Sequence, residues 1–388
     1  MPSYTYPRLY PDLTESQIRD LKERQVLLID RHVAEEVLTL EDCMDVLERA
    51  YKEEGAGSAV NRPKANILIP SENPESKWYR YCSMEGGIKG MKVAATRIKS
   101  DICEEFTTLG NLREDYYCVV PGRYCGLVLL FSSEDGALLA ILNDGHIQHM
   151  RVAATVAIAT KRMARKNSVA LGILGSGGMA WTHALFLSKV IPFEKIKVYS
   201  PNPDHRKNFV KQLGEFLQIK TLEETEPSRV FSGTDVVSCC TNAHEPVILG
   251  KYLSKGTHLT VNKSRTEIDD EALTMLDRFV FYESPLGIDG TPSETRWTDL
   301  PNWKFSGGTR PSDMEKRYNL LSGKMGNLPD VLLGKFPGRD NESEITAFSN
   351  EGTGVQFAAV ALKVYEETKR RGLGTMLPLE WFLEDIPN

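Results

Sequence analysis

Apolar positions recur along this chain with two different periods, and the change of period divides it. Across 41–54, Met44, Leu47, Ala50 and Tyr51 fall on one face of a helix, with Thr39 placed to cap it. Beyond Gly55 and Gly57 the runs become short and β-prone, at 66–69, 78–84, 91–98, 127–131 and 138–142. Ser133-Glu134-Asp135-Gly136 separates the last two, and its composition predicts a hairpin turn. The mixture predicts an α+β unit with an antiparallel or mixed sheet.

The second half alternates more regularly. An Ala-rich stretch over 144–165 predicts a long helix joining two parts of the chain. The run 168–174 is apolar as a buried parallel strand requires, and a helical segment follows at 181–189. Strand patterns at 195–200, 236–241, 257–261 and 279–281, with a helix at 208–217, predict a doubly wound sheet over 167–285. The segment 287–327 is polar, rich in Gly, Pro and Trp, and without period, which marks a loop-rich insertion. A helix at 328–335, a strand at 344–348 and a helix at 354–371 follow; this tail is too short for its own core and is expected to pack back on the first part. The fold class is α/β, divided at 1–150, 151–325 and 326–388.

Charge and cysteine usage narrow the function. The 388 residues carry 47 Lys+Arg against 53 Asp+Glu, a net charge of −6, so a broad nucleic-acid footprint is not expected, while a local basic pocket for a small anion is compatible. No apolar run approaches the roughly 20 residues of a membrane span, and the first ten residues have neither a basic run nor an apolar core, so a cytoplasmic protein is expected. Cysteines at 43, 82, 103, 118, 125, 239 and 240 form no CxxC pair; buried free thiols are expected, not zinc ligands or disulfides.

Gly175, Gly177 and Ala180 fit the dinucleotide pattern G-x-G-x-x-A directly between a predicted buried strand and a helix. The first Gly permits the tight turn, and the second lets backbone N–H groups at a helix N-terminus approach a pyrophosphate. Gly175, Ser176, Gly177, Gly178 and Met179 are therefore candidate cofactor residues, the alternative being a purely structural turn. The next strand ends Val198-Tyr199-Ser200-Pro201-Asn202 without the acid that usually takes the ribose hydroxyls, and Arg206 and Lys207 lie just beyond. Ser200, Asn202 and Arg206 join the candidates, and the pattern favours NADP over NAD. Asp204 turning inward, or Arg206 on a solvated helix face, is the competing reading. Thr241, Asn242 and Val261, at later strand ends, complete the cofactor set.

These residues resemble the ornithine cyclodeaminase and mu-crystallin family. The resemblance runs through Asn61-Arg62-Pro63, Met91-Lys92-Val93, a turn with Gly136, Met150-Arg151-Val152-Ala153-Ala154, the glycine loop, Lys335-Phe336-Pro337-Gly338-Arg339, Glu344-Ile345-Thr346 and Phe348. It implies a Rossmann doubly wound sheet inserted in an α+β dimerisation and substrate domain, an NAD(P)-dependent homodimer, and α-amino or α-imino acid substrates. It further implies that Arg62, Lys92 and Arg151 face the substrate carboxylate, and that 352–356 closes over the nicotinamide. Arg151 interrupts an otherwise apolar helix, and Lys92, inside an apolar strand, is expected to need a buried partner.

The loop 256–269 departs from the cyclodeaminases, whose base is an Asp soon after the strand; here no acid precedes Glu267, and 261–265 is similar to the mu-crystallin version. The resemblance thus implies an imine or ketimine reductase or amino-acid dehydrogenase, with Lys92 or a water keeping the imine nitrogen protonated. Its alternatives are a cyclodeaminase using Glu267 or Asp269 as base, and a non-catalytic NADP-binding carrier. Lys263 and Arg265 are expected in a solvated loop. His146 and His149, three apart, are expected on a polar helix surface.

Overall fold

The computed structural model describes residues 13–384 apart from 63, 72–76, 109–110, 244, 263–266, 283–315, 318 and 351. The chain begins with α1 (Glu15–Glu23), β1 (Gln25–Ile29), α2 (Arg31–Val37) and α3 (Leu40–Gly55). The strands β2 (Ala59–Asn61), β3 (Ala65–Pro70), β4 (Lys77–Ile88), β5 (Val93–Thr108), β6 (Asn111–Tyr117), β7 (Cys125–Ser132) and β8 (Leu138–Asn143) follow, then α4 (Asp144–Met163). The alternating part comprises β9 (Ala170–Leu174), α5 (Gly178–Val190), β10 (Lys195–Tyr199), α6 (Pro203–Leu217), β11 (Lys220–Glu223), α7 (Pro227–Phe231), β12 (Val236–Cys239), β13 (His258–Val261), α8 (Asp270–Met275) and β14 (Arg278–Tyr282). β15 (Met325–Asn327), α9 (Leu328–Leu332), β16 (Thr346–Asn350), α10 (Gly354–Arg371) and β17 (Thr375–Pro378) complete it.

Two sheets result. The first runs β17-β1-β8-β7-β5-β4-β2, with β3 also on β4 and β6 also on β5; it is antiparallel except where β1 meets β8. Hairpin β7–β8 turns through Gly136 at φ +79°, as the turn residues predict. The second sheet is parallel throughout, in the order β11-β10-β9-β12-β13-β16-β14-β15. Its direction of winding reverses between β9 and β12, which opens a crevice at their C-terminal ends.

The tail departs from its expected course. β16 lies in the second sheet between β13 and β14, and only from Gly354 onward does the chain return to the first sheet, where α10 packs on β4 and β5. The strand Thr346–Asn350 is buried at every position, which suits a parallel strand covered on both faces.

α4 is buried at fourteen of its twenty positions because it lies between the sheets, against α3, α5 and β16. One continuous apolar cluster joins Leu130 and Leu142 of the first sheet through Val156 and Ile158 of α4 to Ile173 and Val198 of the second. The helix therefore fixes how the two sheets face each other. No helix among the described residues is long and apolar enough to cross a membrane.

Candidate active site

The glycine turn closes the crevice from one side. Gly175 has φ +120°, and a Cβ there would lie 2.4 Å from the Cys240 carbonyl oxygen, so the first Gly of the motif is required by both conformation and space. Gly177 N-caps α5 without a side-chain cap, and the space where its Cβ would stand is open. Exposed N–H groups at a helix N-terminus beside an empty cradle fit a pyrophosphate. Ser176 Oγ donates to Ser200 Oγ at 2.9 Å, tying the turn to the end of β10, while Met179 is half-buried behind it.

The remaining cofactor candidates divide. Asn202 caps α6, accepting from His205 N at 3.0 Å. Arg206 is buried, with Nε and Nη2 on Glu223 at 2.9 and 2.8 Å and Nη1 on the Ser200 carbonyl. It is neither a solvated residue nor a cation free for a 2′-phosphate, because α6 aims it inward at the end of β11; of the grounds for NADP, the strand end without an acid and Lys207 are left. We expect Arg206→Ala to leave the ratio of NADH to NADPH affinities within about threefold of wild type, as read by fluorescence titration. Val261 is fully buried in the core, which leaves its backbone alone to face a ligand.

Thr241 and its neighbour Asn242 end β12 under the control of one buried acid. Glu267 accepts from Thr241 N and Oγ1 at 3.3 and 2.7 Å and from Asn262 N at 3.1 Å, clamping the ends of β12 and β13 together. Asp269 caps α8, accepting from Ala272 N at 2.7 Å and Gly250 N at 3.1 Å. Both acids offered as a cyclodeaminase base are thus committed to holding backbone. Lys263 and Arg265 lie outside the described residues, as does most of 287–327.

Arg151 lies 3% exposed on α4. Gln148 Oε1 accepts from its Nη2 and Nε at 2.7 and 3.3 Å, Gln356 Oε1 accepts from Nη1 at 2.9 Å, and the guanidinium carbon stands 5.0 Å from the Phe357 ring centroid. Burial, then the nearby charge of Arg97, pulls its pKa down to about 10, so it stays protonated at neutral pH. Gly352, at φ +83°, makes room for it: a Cβ there would meet Nη1 at 2.4 Å.

Arg62 is exposed, its side chain 3.8 Å from Glu85 and its backbone N donating to the Glu85 carbonyl; the Glu85 backbone in turn lies against Gly354. Lys92 does not join them. It follows a single 3-10 turn in the left-handed region, φ 58°, because the strand starts only at Val93, and it pairs with exposed Glu134 at 2.7 Å. The buried Met91 and Val93 on either side turn it to solvent, so the expected buried partner is absent.

Two further groups adjoin Arg151. Arg97 is buried, with Nε and Nη2 on Asp144 Oδ2 at 2.9 and 2.6 Å, and stands 5.1 Å from the same Phe357 ring as Arg151. The available signal was its place two and four residues after Ala95 and Val93, on the core face of β5. His149 is exposed on α4, as expected of a polar helix surface, and its ring also reaches the glycine turn, its ring carbon 3.1 Å from where a Gly178 Cβ would be. Partial burial depresses the basicity of His146.

Residues 114–372 match the Ornithine cyclodeaminase/mu-crystallin family. Alanine dehydrogenase of Archaeoglobus fulgidus is 23% identical over 354 residues, 91% of this chain and 98% of that protein. Among solved structures, Thermococcus litoralis Δ1-pyrroline-2-carboxylate reductase with NADH and L-proline superposes at a TM-score of 0.72 and 23% identity, covering 90% of this chain and 99% of that one. An archaeal alanine dehydrogenase dimer with bound NAD gives 0.73 at 21% identity, covering 91% and 99%.

Proposed function

Because the chain belongs to the ornithine cyclodeaminase/mu-crystallin family, we propose that it transfers hydride between a nicotinamide dinucleotide and the C=N or C–N bond of a small α-imino or α-amino acid. The observation that carries this reading is one helix bearing His149 against the glycine loop and, two residues on, Arg151 in a buried clamp. It agrees with the activities named for the alanine dehydrogenase and pyrroline-2-carboxylate reductase relatives.

The dinucleotide, when bound, supplies or accepts the hydride. The residues 175–178 and the first turn of α5 hold its pyrophosphate. Arg151 holds the substrate carboxylate where water is scarce and its charge acts strongly, and Arg62 adds a second, more exposed cation. An imine carbon beside a carboxylate is electrophilic once its nitrogen is protonated, so orientation does most of the work. In this reading the first sheet with its helices binds substrate, and the second holds NAD or NADP. The outer face of the first sheet, where Val60, Ile67 and Ile69 are exposed, is covered by a second copy in a homodimer. Seven free thiols fit a reducing compartment, and we assign the protein to the cytoplasm.

The test is oxidation of NADH and NADPH over pyruvate with ammonium and over cyclic imino acids such as Δ1-pyrroline-2-carboxylate. Turnover of at least one is the expected result, and none with either cofactor overturns the reading. The cyclodeaminase alternative is disfavoured by the commitments of Glu267 and Asp269. Glu267→Gln, which loses an acceptor for buried donors, is expected to lower unfolding stability by about 1–3 kcal/mol in chemical denaturation; an unchanged midpoint would release Glu267 for chemistry.

A further inference from the structure

Glu54, in the last turn of α3, is a half-buried carboxylate that the mechanism above does not use, and its partial burial raises its pKa. Both of its oxygens are engaged: Oε1 accepts from Asn61 Nδ2 at 2.6 Å and Oε2 accepts from the Tyr282 hydroxyl at 2.7 Å. Each partner leads toward the clamp.

Tyr282 ends β14 of the second sheet, and its oxygen is also 2.9 Å from Thr353 Oγ1. Since Tyr282 gives its proton to Glu54, Thr353 is the donor in that contact. Thr353 N in turn donates to Gln356 Oε1 at 3.0 Å, the same oxygen that receives Arg151 Nη1. The Gln356 amide is held in this orientation because its nitrogen donates to Tyr51 OH and Thr155 Oγ1 at 2.9 and 2.8 Å. On the second path, Asn61 Oδ1 accepts from Val355 N at 2.8 Å, and the next residue is Arg62.

We propose that Glu54 is a positioning residue for substrate binding, which braces the 352–356 segment through Tyr282 and Asn61 and thereby sets Arg151 and Arg62; this rests on the function proposed above. The brace spans the two sheets, for Glu54 lies on α3 while Tyr282 belongs to β14, and the Tyr51 and Tyr282 rings meet at 4.5 Å. A glutamine at 54 has the same shape but a single acceptor oxygen where two donors point, so it breaks one path and leaves the backbone in place.

The test uses full-length Glu54→Gln, Tyr282→Phe and the double variant, with NADH and with pyruvate plus ammonium or Δ1-pyrroline-2-carboxylate as probes. The expected result is a KM about tenfold higher in each single variant, kcat within about threefold, and the NADH Kd within about twofold. The double variant should be no worse than about twofold beyond the poorer single one, because both act on one relay. Hydrogen exchange of a peptide over 352–358 should speed up about tenfold while 170–180 is unchanged, a readout that needs no turnover. Additive kinetic effects, or unaltered exchange over 352–358, would overturn the brace, as would exchange that rises equally in both peptides. Absence of NADH binding by the wild-type chain removes the functional reading instead.

Discussion

Substituting lysine for Arg151 lowers kcat/KM for the carboxylate substrate about 100-fold or more while the dinucleotide Kd stays within about threefold. The guanidinium spends one N–H from each of its three nitrogens on Gln148 and Gln356, which leaves one further N–H on each terminal nitrogen for a substrate carboxylate. A planar fork does both tasks at once. A lysine ammonium is a point charge on a flexible stem; it cannot hold both glutamines and present two parallel N–H groups to a carboxylate at once. Steady-state kinetics beside an NADH titration checks both halves, and wild-type kcat/KM in Arg151→Lys would remove this residue from the clamp.

Gly175→Ala is expected to weaken NADH binding about 100-fold and to lower unfolding stability by about 2–4 kcal/mol. Its Cβ would sit 2.4 Å from the Cys240 carbonyl oxygen, a backbone atom that moves only if the end of β12 moves, and φ +120° is a region that L side chains rarely occupy. Gly177→Ala separates the two effects. Its Cβ meets nothing in the protein but enters the space where we propose the pyrophosphate lies, so affinity is expected to fall while stability changes by less than about 1 kcal/mol. Calorimetric titration and denaturation on the pair decide the matter: equal stability losses in both would mean that the turn is only structural.

What was legible beforehand has a common cause. The helix 41–54, the hairpin at 133–136 and the strand before Gly175 each depend on residues within one turn or one strand of each other, and the structure contains them as Leu40–Gly55, the β7–β8 turn and Ala170–Leu174. Arg151 was legible because a charge in a run of alanines has to be buried with partners.

The misplacements share the opposite cause. The apolar run through Lys92 has the pattern of a strand interior, but the chain completes a 3-10 turn there and releases the side chain to Glu134. Arg206 is held by Glu223, 17 residues away, and Arg97 by Asp144, 47 residues on, distances over which no local pattern carries a signal.

Local rhythm and glycine sterics by themselves determined the doubly wound class, the tight glycine turn before α5 and the long buried helix, since those act over a few residues. Tertiary structure alone decided which cations are free and which are spent, and where the tail crosses back, because a buried charge is assigned by whichever partner the fold brings within about 3 Å, however distant in sequence.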